Sequence, residues 1–240
     1  LALAVVLVSA PALADPIAPA SGLAARLLGA ILATYLVWMA VRDGAFQTGG
    51  SRLGWLADAF VAAAIRARRA GIDALEVHMA HGYLLHEFLS PLSNARADAY
   101  GGTPEGRMRF PLEVFDAVRA AFPADRPVGV RVSATDWVEG GWALADSIAL
   151  AQALKARGCD WVDVSSVGIS PAQKIETGPG LHVPFARAIR AATGLPTIVV
   201  GLITEPAQAD AIVAAGDADL VALARGMLRN PRWPWHAAAA

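Results

Sequence analysis

The 240-residue chain is predicted to be an α/β protein built on a parallel sheet, and more narrowly a βα barrel. Three observations predict it. From Trp55 onward, short apolar runs alternate with stretches of helical periodicity. Several of those helices stop at a glycine just before the next strand, at Gly158, Gly194 and Gly216. Polar residues fall at or just beyond the C-terminal ends of the strands: His78, Arg131, Ser165, Gly201 and Arg225. In a βα barrel those ends form one face, where catalytic groups collect. An open doubly wound sheet usually carries a Gly-rich turn after its first strand, and no G-x-G-x-x-G occurs here.

Taken in order, the chain opens on an apolar part, residues 1–54, whose first 41 positions hold only Asp15 and Arg26 as charged groups. Leu1–Ala14 (LALAVVLVSAPALA) ends in small residues, like the h-region and A-x-A site of a secretory signal. It has neither a basic n-region nor an initiator Met, as a truncated chain or an alternative start codon would leave it. Leu23–Val41 is a second apolar run of 19 residues, interrupted by Arg26. That just reaches the length of a membrane span. A buried helix of an alanine-rich protein, or an extension without evolved function, is favoured over an anchor, because one marginal run does not define a span. Turn-rich Asp43–Arg52 marks the boundary, so residues 55–240 form the second part.

In that part Leu56–Ala70 has apolar residues at helical spacing, a basic last turn and Gly71 as its stop. Strands are expected at Ala74–His78, Val128–Ser133, Trp161–Ser166, Thr197–Gly201 and Leu220–Ala224. Helices are expected between them, at Arg107–Ala121, Ala143–Arg157, Val183–Thr193 and Pro206–Ala215.

Composition excludes several classes of function. With 20 basic and 21 acidic side chains the net charge is −1, which gives no electrostatic basis for binding nucleic acid. Cys159 has no second cysteine for a disulfide or a Cys-x-x-Cys zinc site, and reads as a small buried apolar residue. The apolar content of 55% excludes disorder as the overall state.

The densest chemistry lies in Glu76–Pro91, EVHMAHGYLLHEFLSP. On a continuing strand His78 and His81 would face opposite ways, but the turn that Gly82 permits can bring both rings to one side. Two adjacent imidazoles can donate hydrogen bonds to one carbonyl or phenolate oxygen. The other reading is a strand end with one packed and one solvated histidine. His86-Glu87 starts an H-E-x-x-H, but Ser90 stands at the second histidine position, so the zinc-protease motif fails and no metal site is expected.

Long motifs then follow one another: HMAHGYLLHEFLSPLSNARADAYGG (His78–Gly102), VRVSATDW (Val130–Trp137), DVSSVG (Asp163–Gly168), VVGLIT (Val199–Thr204) and ALARGMLRNPRWPWHAA (Ala222–Ala238). In these residues, from about Ala57 to its end, the chain resembles the C-terminal part of the old yellow enzyme family. Those are flavin-dependent oxidoreductases that reduce activated alkenes, and the bacterial xenobiotic-reductase-like branch is the most similar subgroup. The resemblance implies a TIM (β/α)8-type barrel with FMN at its C-terminal face and NAD(P)H as electron donor. It implies that His78 and His81 bind the substrate carbonyl oxygen and phenolic ligands, and that Tyr83 gives the proton. By the same resemblance Arg131 sits at the N1 and O2 edge of the flavin, and Gly201, Ala224 and Arg225 form the FMN phosphate site. Asn94, Arg96 and Asp98 order the long loop. The implied substrate is an enone, a nitro compound or a quinone, in a cytoplasmic enzyme, with membrane anchoring through residues 23–41 as the alternative. Trp233-Pro234-Trp235 reads either as part of a homodimer contact through the C-terminal region or as packing on the barrel's outer helices.

The resemblance is also incomplete. Family members have eight βα units, whereas the five strands here match strands four to eight. A barrel truncated to those strands, with an apolar helical N-terminal extension, is therefore expected. The first-strand residues around the flavin N5 and the third-strand glutamine have no counterpart, and Gln47 cannot be given that role. Val167 stands where a second glycine is usual after Ser-Ser, and Gly106 where an asparagine is usual. The alternative to an active enzyme is a catalytically inactive barrel fragment or a binding module.

Overall fold

The computed structural model describes residues 51–239. Leu1–Ala14, Leu23–Val41 and Gln47, with the expectations placed on them, lie outside the described residues. The elements run α1 (Ser51–Arg69), β1 (Leu75–Met79), α2 (Leu84–Leu89), α3 (Pro104–Ala121), β2 (Val128–Ser133), α4 (Leu144–Lys155) and β3 (Val162–Ser165). They continue with α5 (Val183–Thr193), β4 (Thr197–Val199), α6 (Pro206–Ala214), β5 (Leu220–Val221), α7 (Arg225–Arg229) and α8 (Trp233–Ala238). Among the described residues no helix is long and apolar enough to cross a membrane.

All strand pairs are parallel, and the spatial order is the chain order, β1-β2-β3-β4-β5. A doubly wound sheet reverses its strand order at a switch point, and this one does not. Crossovers of one hand in one direction place every connecting helix on the same face. Accordingly α1 packs on α3, α3 on α4, and α4 on α5, as in the outer layer of a βα barrel.

Alternation along each strand then divides the sheet. Val77, Val130, Val162 and Thr197 share one row, and the valines in it belong to the core shared with the helices. That core takes its helical side from stripes such as Met108, Leu112, Phe115 and Val118 of α3. Thr103 caps α3 by accepting the Gly106 N–H at 3.1 Å, and Pro104 occupies the first turn, where a missing N–H costs nothing. Full burial of each such aliphatic or aromatic side chain contributes roughly 1.5–3 kcal/mol.

The expected strand Val128–Ser133 and helix Val183–Thr193 have the observed bounds, while other elements differ at their ends. The helix expected over Leu56–Ala70 starts earlier, at Ser51. The strand expected to reach Gly201 ends at Val199, and the strand expected to reach Ala224 ends at Val221. Gly201 has φ +126°, and a Cβ there would lie 2.7 Å from the His182 Nδ1, so the backbone leaves the sheet beneath that ring. Asn94 binds the carbonyls of Phe88 and Tyr100 and accepts the Arg96 N–H, while Arg96 pairs with Asp98, so these three residues do order the long loop. Cys159 is buried just before β3 with its thiol pushed up to about 12 by burial, as an inert packing residue.

Candidate active site

On the face away from the helices, the pairing register sets His78, Arg131, Asp163, Ile198 and Leu220 in one row across all five strands. Toward the N-terminal ends of the strands, the indole of Trp161 lies over Gly129, where a Cβ would collide with it. That indole donates Nε1–H to Glu76 Oε2 at 3.1 Å. Toward the C-terminal ends, Ser133 and Ser165 stand opposite each other. A sheet face buried by apolar contacts alone would carry none of these groups.

The row sets Arg131 between His78 and the buried acid Asp163, and a second buried acid, Glu76, lies on the same face two residues before His78. Arg131 Nε lies 3.5 Å from Asp163 Oδ2. Burial, and then repulsion from Asp163, push the Glu76 carboxyl up to about 7. Burial raises Asp163 as well, against the opposing pull of Arg131. Asp163, beside the guanidinium, is the better stabilised carboxylate of the two, and Glu76 is the more readily protonated. Three buried atoms on this row have no hydrogen-bond partner: His78 Nδ1, Arg131 Nε and Asp163 Oδ1. Buried polar atoms are normally satisfied, so such a set marks where a bound group would complete the bonding.

Past β1 the chain turns sharply. His81 has φ +62° and Gly82 φ +73°. Gly82 and Gly168 pass each other with no room for a side chain on either, so the β1 and β3 loops touch backbone to backbone. His81 N–H donates to Ser133 Oγ at 3.0 Å, and His81 Nε2 lies 2.8 Å from Ser165 Oγ. The result is a cluster of rings: His78 and His81 have centroids 5.0 Å apart, and His78 and Tyr83 5.4 Å. Burial first, then the charge of Arg131, holds His78 at about 4 and His81 at about 3, so both imidazoles are neutral near pH 7. Each then offers one N–H donor.

His78, His81, Tyr83 and Arg131 are thus brought together. Gly201, Ala224 and Arg225 lie apart from them, past the ends of β4 and β5. Arg225 opens α7, is exposed, and has no ion pair among the described residues. Trp233 donates its indole N–H to Thr204 O at 2.9 Å, whereas Trp235 is 71% exposed.

Several residues at these strand ends stand in the quoted motifs without a role having been read for them. Ser133 and Ser165 fix His81, and hydroxyls at strand ends beside a histidine pair are the signal that could have found them. A second hydrogen-bond chain runs from Trp137 Nε1–H to Ser166 Oγ at 2.8 Å, from Ser166 to His182 Nε2 at 2.7 Å, and from His182 Nδ1 to Val200 O at 2.6 Å. Because a carbonyl only accepts, His182 carries its proton on Nδ1 and receives the Ser166 hydroxyl at Nε2. This chain ties the loops after β2, β3 and β4 into one rim. No group of three or more candidate metal ligands occurs among the described residues.

Sequential parallel strands with their connecting helices on one face define the class: a parallel α/β sheet of the βα-barrel kind, with ionisable and hydrogen-bonding groups collected toward the C-terminal ends of its strands. Residues 55–240 match the model of the NADH:flavin oxidoreductase / NADH oxidase family. The chain belongs to this family, which agrees with the old yellow enzyme resemblance of its motifs. NADPH dehydrogenase of Geobacillus thermodenitrificans (strain NG80-2) is 51% identical over 180 residues, covering 75% of this chain and 52% of the relative. NADPH dehydrogenase of Bacillus subtilis (strain 168) is 46% identical over 172 residues, covering 72% and 50%. Among solved structures, morphinone reductase in complex with tetrahydroNAD superposes with a TM-score of 0.66 at 31% identity, over 80% of this chain and 50% of that one. The chain spans about half the length of the curated relatives it matches. Flavin and nicotinamide, the cofactor pair implied by the motifs, are the pair named in this family and these relatives.

Proposed function

We propose that the chain carries the acceptor-binding face of an FMN-dependent NAD(P)H oxidoreductase that reduces activated alkenes, with enones, nitro compounds or quinones as its substrate class. The observation that carries this reading is the cluster of His78, His81 and Tyr83, with both imidazoles neutral, beside Arg131. His78 and His81 donate to the substrate carbonyl oxygen, and both bonds strengthen as enolate charge builds there. Tyr83 donates its phenolic proton to the alkene carbon that does not receive hydride. The guanidinium of Arg131, whose Nε is ion-paired with Asp163, would place positive charge at an acceptor edge such as N1 and O2 of an isoalloxazine. Arg225, with the backbone at Gly201 and Ala224, would hold the phosphate at the far end of the cofactor. Bound FMN, reduced by NAD(P)H, supplies the hydride.

The test is a titration of the purified chain with FMN, followed by NADPH-dependent reduction of 2-cyclohexenone. Saturable binding with a perturbed flavin spectrum is expected. His78→Ala and His81→Ala should each lower kcat/KM by about 10²–10³-fold with flavin still bound. Undiminished turnover in both variants would overturn the assignment.

A further inference from the structure

Two buried side chains outside the acceptor face govern the turn that presents His81. His86, in α2, and Asp136, in the loop after β2, are both fully buried. Gly82 N–H donates to His86 Nδ1 at 2.9 Å, and the opposite nitrogen, Nε2, lies 2.9 Å from Asp136 Oδ1. An imidazole that accepts at Nδ1 must carry its proton on Nε2, so His86 donates to Asp136. The second oxygen of Asp136 accepts the Ser90 hydroxyl at 2.6 Å and the Trp142 N–H at 2.7 Å. Every partner of this carboxylate is therefore a donor, and only an acceptor-only group satisfies them all. An asparagine there must either aim its NH2 at the Trp142 N–H or aim it at His86. The second arrangement moves the imidazole proton to Nδ1, where it faces the Gly82 N–H.

We infer that His86 and Asp136 are positioning residues that fix the orientation of the His81 imidazole through the Gly82 N–H. Neither touches the acceptor. His81 and Gly82 are successive residues in the left-handed region, a conformation that a histidine keeps only when its surroundings impose it. Gly168 presses on the turn from the β3 side, and His86 holds it from the α2 side. Asp136 sets the tautomer that makes His86 an acceptor, much as outer carboxylates orient histidines in other sites. The consequence for catalysis rests on the reading that His81 binds the acceptor. The geometry itself does not.

Imidazole and amide NMR of the full chain, recorded without flavin, tests it. Wild-type His86 should show the tautomer protonated on Nε2, with the Gly82 amide protected from exchange. His86→Leu should speed Gly82 exchange about tenfold or more and shift the His81 ring resonances, because a buried donor has lost its acceptor. Asp136→Asn should do the same, because turning its one oxygen toward the two donors, Ser90 and Trp142, leaves its NH2 facing His86. His86→Gln, whose amide can accept from Gly82 and donate to Asp136, should keep both signals near wild type. A wild-type His86 protonated on Nδ1 overturns the inference. So does a folded His86→Leu with unchanged Gly82 exchange and His81 shifts, or a folded His86→Gln that loses both. Should His86→Leu fail to fold, the wild-type tautomer and His86→Gln still decide. In flavin-loaded protein, phenol should bind about tenfold more weakly to Asp136→Asn. Failure to load flavin at all would sink the proposed function and leave the NMR result standing.

Discussion

Alternate residues of the same strands build the two faces of this sheet, and the two faces reach satisfaction differently. Toward the helices, Val77, Val130, Val162 and Val164 pack against side chains of this chain, and the one row-mate with a buried polar atom left without a partner is Thr197, through its Oγ1. Away from them, buried His78 and Asp163 and half-buried Arg131 lie among polar neighbours and still leave three atoms without hydrogen-bond partners. Apolar contact is non-directional, so a helix layer of roughly the right shape completes it. Polar burial is directional, and what its geometry leaves open must be met by something else. An apolar wall and a polar face with open hydrogen-bonding atoms thus come from one alternation.

The sharpest break of that contrast falls on the apolar side. Phe115, on α3, is fully buried in the core that the helices share with the strand valines. Phe115→Ala should cost about 3–5 kcal/mol, from lost transfer energy and the cavity left behind. His78→Ala, on the other face, removes a ring whose Nδ1 has no partner, and should cost about 1 kcal/mol or less. Urea unfolding of the two variants checks the pair. Equal losses would erase the division between the faces.

The next largest effect depends on pH and comes from the polar face. Burial raises Glu76 above its ordinary carboxyl range, to about 7. The folded state therefore keeps a proton that the unfolded chain releases, and this contribution is full below the ordinary value of 4.5 and is lost as pH rises through about 7. Glu76→Gln keeps an acceptor for the Trp161 indole and removes the titration. At pH 8 it should be more stable than the parent by about 3 kcal/mol, with the difference vanishing near pH 4. His78 and His81 act with the opposite sign. Their folded values of about 4 and about 3 lie below the ordinary 6.5, so they destabilise the fold as pH falls from there. They are common to both proteins and cancel in the comparison. A stability difference that does not change with pH would contradict the buried, protonated Glu76.

The strand–helix alternation and the glycine stops were legible because each is a local signal. Val128–Ser133 reads as a strand from six residues, and Gly158, Gly194 and Gly216 all adopt the positive φ that their place after a helix predicts. The strands overrun their observed ends at Gly201 and Ala224 because the cause at Gly201 is His182, a residue from another loop. Among the site residues, His78, His81 and Tyr83 stand within one motif and could be grouped without a structure. His86 lies inside that same motif, yet its role was hidden, because its partner Asp136 is 50 residues away and only folding joins them. Ser165 was visible as a strand-end polar residue and Ser133 stands in a quoted motif, but their common task of fixing His81 was hidden until the pairing placed them opposite each other.

The smallest expected effect concerns the seam between the two faces, where the β3 loop meets the β1 turn. Val167 stands at φ +87°, a region that a β-branched residue enters at a cost of about 1–3 kcal/mol. Its carbonyl accepts the Ser133 hydroxyl at 3.2 Å, and the neighbouring Gly168 bears on the His81 backbone, so the loop cannot relax without disturbing the histidine. Val167→Gly should relieve this strain. Glycine's extra freedom in the unfolded chain returns about 0.5–1 kcal/mol of the gain. A net stabilisation of about 1 kcal/mol is expected, read as a higher urea midpoint with an unchanged slope. Phenol affinity should stay at the parent's level, because Ser133, His86 and Gly168 still hold the turn. A destabilised variant would mean that the packing of the Val167 side chain outweighs its backbone strain. Weakened phenol binding would mean that the strained loop itself helps press His81 into place.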